Sequence, residues 1–215
     1  TGGSPDRKLL LLGLCAAWGL RLGGYLVWRW RTHGMDKRYK AILGHAQKHR
    51  GWGFAKASLL LVFATQAPLQ FIVSLPVQLG QMDAQPAALG VIAWVGAGMA
   101  VIGILFETIG DFQLVRFRGK PENSGRVLNT GLWRYTRHPN YFGDALTWWG
   151  IYLVAAETST GLWAIVGPIF LTFTLMKWSG APMLEARLRK TRPDYVAYIE
   201  QTSGFVPWPP RKQKV

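Results

Sequence analysis

The sequence predicts an all-α polytopic transmembrane bundle, with about five membrane helices in a single membrane domain spanning residues 1–215. Three observations predict it. Apolar blocks of about twenty residues recur along the chain, long enough for a hydrocarbon core of about 30 Å. Charged residues are segregated from those blocks. The basic residues fall in alternate connections, as the orientation of membrane helices requires. A mean hydropathy of only +0.10 is then the average of apolar spans and very basic connections.

The elements follow in order. Leu9 to Trp28 is apolar except for Arg21. Ala57 to Val77 carries no charge, and neither does Pro86 to Phe106, whose apolar character persists weakly to Phe117. Two shorter blocks, Ala145 to Ala156 and Leu162 to Met176, flank Glu157-Thr-Ser-Thr-Gly161. They read as a helical hairpin across the membrane or as re-entrant segments buried in protein. Helices are therefore expected near 9–28, 57–77, 86–117, 141–156 and 162–176, followed by a C-terminal segment, 177–215.

The formal net charge of +14 would suggest nucleic acid as the partner of a soluble protein. Its distribution argues otherwise. With five alternating helices, 22 of the 25 Lys and Arg fall on one side, in the stretches 29–56, 116–137 and 177–214. Arg7 and Lys8 fall on the other, and Arg21 lies within a helix. The positive-inside rule places the basic face and the C-terminus in the cytoplasm, and the lipid bilayer replaces nucleic acid as the partner. A single cysteine, Cys15, excludes a disulfide framework and a thiolate zinc site. The four histidines are not paired with carboxylates at metal-ligand spacing, so no metal is expected. Gly96, Gly98 and Gly103 miss the dinucleotide fingerprint and suit helix packing instead.

Charged residues inside apolar helices are expensive and are functional candidates for that reason. Arg21 is one. Glu107 and Asp111, spaced i, i+4, share a helix face, with Arg118 seven residues on. The connection 116–144 interleaves Arg118, Lys120, Arg126 and Arg137 with Trp133, Tyr135 and Tyr141. Such a surface suits a polyanion carrying flat rings, a nucleotide cofactor, and equally an anionic headgroup layer. His138 precedes Pro139 and is held extended at the start of a helix. Asn140 has N-cap chemistry, and Asp144 and Trp148 follow one turn apart on one face. The Asp144 carboxylate suits a hydrogen bond to a ribose hydroxyl or amide, or the holding of a catalytic proton.

The segment Leu132-Trp-Arg-Tyr-Thr-Arg-His-Pro-Asn-Tyr-Phe-Gly-Asp144 resembles the steroid 5-alpha-reductase and sterol reductase superfamily. It is most similar to the bacterial membrane proteins grouped as DUF1295 with the steroid 5-alpha-reductase C-terminal domain. Trp18-Gly-Leu-Arg-Leu22, Gln66 through Ser74-Leu-Pro76, Glu107 to Asp111, Ser179 to Glu185, Arg192-Pro-Asp-Tyr195 and Phe205-Val-Pro-Trp-Pro209 extend the likeness. The resemblance implies a bacterial inner-membrane enzyme that holds NADPH in the cytoplasmic half of the bundle and reduces an activated C=C bond of a lipophilic, steroid-like or enone substrate. It implies that Arg21, Glu107, Asp111, Arg118, Lys120, Arg126, Tyr135, Arg137, His138, Asn140, Tyr141, Asp144 and Trp148 bind the cofactor, and that Asp144 is a catalytic candidate. The ketone-holding pair of the steroid reductases would precede residue 1, on about two further helices, and their substrate tyrosine falls on Trp18. Isoprenylcysteine carboxyl methyltransferases carry a similar RHPxYxG segment and give the alternative, a membrane methyltransferase using S-adenosylmethionine. The clustered arginines favour NADPH, which carries phosphates where the methyl donor carries none.

Overall fold

The computed structural model describes residues 2–178 and 180–211. Ser179, within one of the resembling segments, and Lys212 and Lys214 of the basic tail lie outside the described residues. Among these residues there is no strand, and the backbone is helical throughout apart from its connections.

Helix α1, Pro5–His33, begins with proline in its first turn, where no N–H is missed. It ends at Gly34, whose φ of 71° lets its N–H reach back to the Trp30 carbonyl. The basic stretch after it contains a helix that hydropathy does not reveal. This is α2, Lys37–Arg50, capped by the Asp36 carboxylate on the Arg38 N–H and closed by a left-handed Gly51. Leu43 and Ala46 of α2 pack on Ala57 of α3, Phe54–Val73. The second expected span therefore starts at Phe54 and stops at Val73, and the short α4, Leu75–Leu79, follows with Pro76 in its first turn.

Helix α5, Val91–Arg118, starts later than the expected 86. The cause lies far away in sequence. The Glu157 carboxylate accepts the N–H groups of Gly90 and Ala93 at 3.0 and 2.9 Å and caps the helix there. Helix α6, Pro139–Ala155, is 17 residues long. The chain then forms a tight turn, Gly161–Ile165, helix α7, Val166–Phe173, and a wide turn, Thr174–Trp178. Helices α8, Ala181–Thr191, and α9, Tyr195–Gln201, occupy the C-terminal segment.

Among the described residues, four runs are long and apolar enough to cross a membrane: Pro5–His33, Phe54–Val73, Val91–Arg118 and Gly161–Thr191. The protein is an integral membrane bundle. Helix α6, expected as one of five membrane helices, is about 25 Å long at 1.5 Å per residue, short of a full crossing. It is enclosed by the others instead. Its Trp148, Ile151 and Val154 form the core with Leu11 and Leu14 of α1, Val73 of α3 and Ala93, Ala97 and Ala100 of α5. The outer helices turn large apolar side chains outward, among them Leu20, Phe63, Val91, Trp94 and Trp163. In water such a surface would be a liability; in lipid it is the expected one.

Glycine decides how α5 meets α6. Gly96, Gly103 and Gly110 repeat every seven residues along α5, and their Cα atoms lie against Gly150, Thr147 and Pro139 of α6. On α6, Gly143 lies against Glu107. Small residues let two helix backbones approach where no hydrophobic drive acts between lipid-facing helices. This close approach brings the polar residues of α5 onto α6.

The two ends of the bundle differ. One holds the N-terminus and the connections 80–90 and 156–161. There Arg7, fully buried, donates to the Pro86 carbonyl and pairs with Glu157 at 3.4 Å. Asp83 accepts from the Thr160 N–H, the Thr160 hydroxyl and the Ser159 hydroxyl. The other end holds α2, the connection 119–138, α8 and α9, and with them most of the basic residues.

Candidate functional site

Three carboxylates and one guanidinium meet where α1, α5 and α6 converge. Arg21 of α1 reaches Asp111 Oδ2 at 2.5 Å, Glu107 Oε1 at 2.6 Å and the Thr108 hydroxyl at 3.1 Å. The contact with Glu107 is an ion contact without hydrogen-bond alignment at Nη1. Asp111 Oδ1 accepts from the Asn140 amide at 3.4 Å. Asp144, one turn into α6, accepts from the Trp18 indole N–H at 3.0 Å. Trp18 meets Trp148 edge to face, with centroids 5.1 Å apart. Glu107 and Asp111 are 4% and 6% exposed, and Trp148 is 1% exposed. Besides Arg21 Nη1, two buried polar atoms in this group have no hydrogen-bond partner among the described residues, Glu107 Oε2 and the Trp148 indole nitrogen. A buried polar atom left without a partner costs free energy, and such atoms concentrate where a ligand completes the set.

Beside this cluster, at the basic end, lies a narrow cleft between the end of α5, residues 127–133, and helices α8 and α9. Its walls are apolar and aromatic, with Phe117, Trp133, Leu184, Tyr195 and Tyr198 among them. Burial pushes the Tyr195 and Tyr198 phenols up, and both stay neutral. Three arginines line the cleft: Arg118, Arg137 and Arg192. Arg118 and Arg192 pair with no carboxylate among the described residues and repel each other. Asn140 lines the cleft and also bonds Asp111, so one amide joins the two halves of the site.

Local sequence explains these placements. His138, with φ of −137°, is held extended by the proline that follows, and α6 starts at Pro139. Asn140 and Asp144 then lie one turn apart on the face toward α1 and α5. On α5, the i, i+4 spacing of Glu107 and Asp111 puts both on the side of Arg21.

Of the residues predicted from sequence, Arg21, Glu107, Asp111, Asn140, Asp144 and Trp148 come together in the cluster, and Arg118, Arg137 and Asn140 line the cleft. Tyr141 stacks on His138 at 5.2 Å. Lys120, Arg126 and Tyr135 do not line the cleft. Lys120 faces Glu122 at 4.0 Å, Arg126 is exposed, and the Tyr135 carbonyl accepts the Trp208 N–H.

Arg137 and His138 have a second occupation. Both meet Glu185 Oε1 of α8, at 2.8 and 2.9 Å. Arg137 also donates to the carbonyls of Ile199 and Thr202. Thr136 donates to the Phe205 carbonyl, and the Arg137 N–H to that of Ser203. These two motif residues thus tie the C-terminal segment to the start of α6. Sequence reasoning did not select Arg192, Tyr195, Tyr198 or Glu185 as site residues. The compact run Arg192-Pro-Asp-Tyr195 was the available signal, but only packing brings it to Trp133, whose carbonyl accepts from the Tyr198 hydroxyl at 2.5 Å.

A family model described as protein of unknown function, DUF1295, matches residues 1–202. The chain is similar to an uncharacterized protein of Schizosaccharomyces pombe, 23% identical over an alignment of 163 residues that covers 64% of this chain and 45% of that protein. The chain thus spans less than half the length of that relative. No solved structure matches.

Proposed function

The chain belongs to the DUF1295 family of membrane proteins, and from the site it carries we propose that it is an NADPH-dependent reductase acting on an activated C=C bond of a lipophilic substrate. One observation supports this above the others. Two arginines without acidic partners among the described residues, Arg118 and Arg192, line an aromatic cleft that Asn140 joins to a buried carboxylate cluster. Unpaired guanidiniums suit phosphate, and aromatic walls suit flat rings. A nucleotide phosphate supplies the charge that these cations lack, so the donor set fits the cofactor.

When bound, the reduced nicotinamide supplies a hydride. The residues of the chain do the rest. Arg118 and Arg192 hold phosphate, and Asn140 orients the ligand from the first turn of α6. The buried α5–α6 contact excludes water from the carboxylates. Asp144, fixed by the Trp18 N–H, holds its position beside the ring of Trp148. The apolar outer surface gives a lipophilic substrate access from the bilayer. On this reading the basic end and the C-terminus face the cytoplasm, where NADPH is found.

The test is thermal unfolding of the detergent-purified protein with NADPH, NADH and S-adenosylmethionine. NADPH should stabilise most. Stabilisation by the methyl donor and none by NADPH would refute the reading in favour of a methyltransferase. Arg118→Ala should weaken NADPH more than NADH, because a phosphate contact is lost. Equal loss for both nucleotides would remove Arg118 from the phosphate site.

A further inference from the structure

We infer that Glu107 is a neutral carboxylic acid at neutral pH, with its proton on Oε2, and that it is the internal acid of the site. The charged groups close to it are Arg21 from α1, Asp111 from its own helix and Asp144 from α6. In contact with the cluster, one guanidinium therefore stands against three carboxylates; Arg29 acts on Asp111 only from a distance and is paired with Asp36. Three ionised acids with one cation, enclosed by helices that face lipid, would leave a net negative charge out of water. A proton on one of them removes part of that excess at no cost in geometry.

The hydrogen bonds indicate which acid carries it. Asp111 accepts from two donors, Arg21 and the Asn140 amide. Asp144 accepts from the Trp18 indole. Donors of this kind favour the ionised form. Glu107 has only the misaligned approach of Arg21 to Oε1, and its Oε2 accepts nothing among the described residues. A bare, buried carboxylate oxygen is the least stable place for a negative charge, and the natural place for a proton. The protonated oxygen is also a donor without a partner among the described residues.

The chemical consequence rests on the reductase reading. On that reading, bound NADPH would supply a hydride to the β-carbon of an enone, and the C=C electron pair would move to the α-carbon. The Glu107 O–H bond breaks, its proton forms the second C–H bond at the α-carbon, and Glu107 is left as a carboxylate. Arg21, already at 2.6 Å, offsets the new charge.

Infrared spectroscopy of the detergent-purified protein at neutral pH reads the proton directly. The wild type should show the C=O stretch of a protonated carboxyl, and E107Q should lose it. The band should shift when glutamate is labelled with 13C at the side-chain carboxyl, and stay in place when aspartate is labelled. Absence of the band in the wild type, or its survival in E107Q, overturns the inference. If E107Q does not fold, the wild type carrying 13C-carboxyl glutamate decides: a band that does not move with labelled glutamate, or that moves with labelled aspartate, overturns the inference, and a downshift with labelled glutamate alone supports it. In NADPH-driven reduction of benzylideneacetone, E107Q should keep the NADPH thermal shift and lose about a hundredfold in rate, as removal of a general acid does. An unchanged rate would overturn the donor role. If the wild type reduces no enone, the reductase reading falls, and the infrared result still decides the proton.

Discussion

Replacing Gly103 by alanine perturbs the contact that assembles the site. A Cβ at Gly103 would lie 2.5 Å from both the N and the Oγ1 of Thr147, and 2.6 Å from the Gly143 carbonyl. Ordinary contact begins near 3.4 Å, so α5 and α6 must part by about 0.9 Å. The atoms met first include backbone, which no rotamer change can move aside. Overpacking of this kind costs about 1–3 kcal/mol. The helix propensity of alanine returns about 0.5–1 kcal/mol of that. At roughly 2–4 °C per kcal/mol for a chain of this size, the remaining ~0.5–2 kcal/mol should make Gly103→Ala melt about 1–8 °C below the wild type. Gly98→Ala is the control on the same helix, because nothing lies within 4 Å of its added Cβ. It should melt at or above the wild-type temperature. Both variants are read by thermal unfolding in one detergent. If they melt together, close packing at glycine does not set the α5–α6 distance, and the account of the site given above loses its base.

Three further predictions concern other parts of the molecule. Glu185→Ala removes the carboxylate that holds Arg137 and His138, and should cost about 1–3 kcal/mol at this half-buried site; limited proteolysis should then cut within 181–205, and unchanged resistance would deny that Glu185 ties down the C-terminal segment. Arg192→Ala should weaken NADPH binding about tenfold or more in titration calorimetry, while its melting temperature without ligand stays near that of the wild type. The third concerns pH at the N-terminal end. The Thr160 N–H and hydroxyl and the Ser159 hydroxyl hold the Asp83 carboxyl below its ordinary range. Burial would raise Glu157, but the N–H groups of Ala93 and Gly90, together with Arg7, outweigh it and hold it low. A lowered folded pKa gives stability that is present above the unfolded value, about 4 for these acids, and is lost as pH falls through the folded value. Hydrogen exchange at Thr160, corrected for intrinsic rate, should accelerate only below about pH 4, and the acceleration should be absent in Asp83→Asn.

Much of the fold was legible because hydropathy is local. The apolar blocks, the charged connections and the i, i+4 pair Glu107 and Asp111 each follow from neighbouring residues. The start of α5 was not legible, since Glu157 caps it from 64 positions away along the chain. Helix α2 was hidden because its exposed basic residues mask a narrow apolar face formed by Leu43 and Ala46. The central place of α6 was hidden for another reason: a fully enclosed helix and a lipid-facing one are both apolar, so composition does not separate them. In the site, charged groups of separate apolar helices meet, Arg21 of α1 with Glu107 and Asp111 of α5. The dual engagement of Arg137 and His138 did not show, because Glu185 reaches them across 47 residues.

By itself, then, the sequence determined that this protein lives in a bilayer, and that its basic residues gather at one end. Both follow from transfer free energies that each segment carries wherever it is placed. Only the tertiary structure decided which carboxylate receives which donor. The approach of α5 and α6 at glycine places three acids around one arginine and leaves a single oxygen of Glu107 bare. Such pairing depends on distances of a few ångströms between residues far apart in the chain, and packing alone sets those distances.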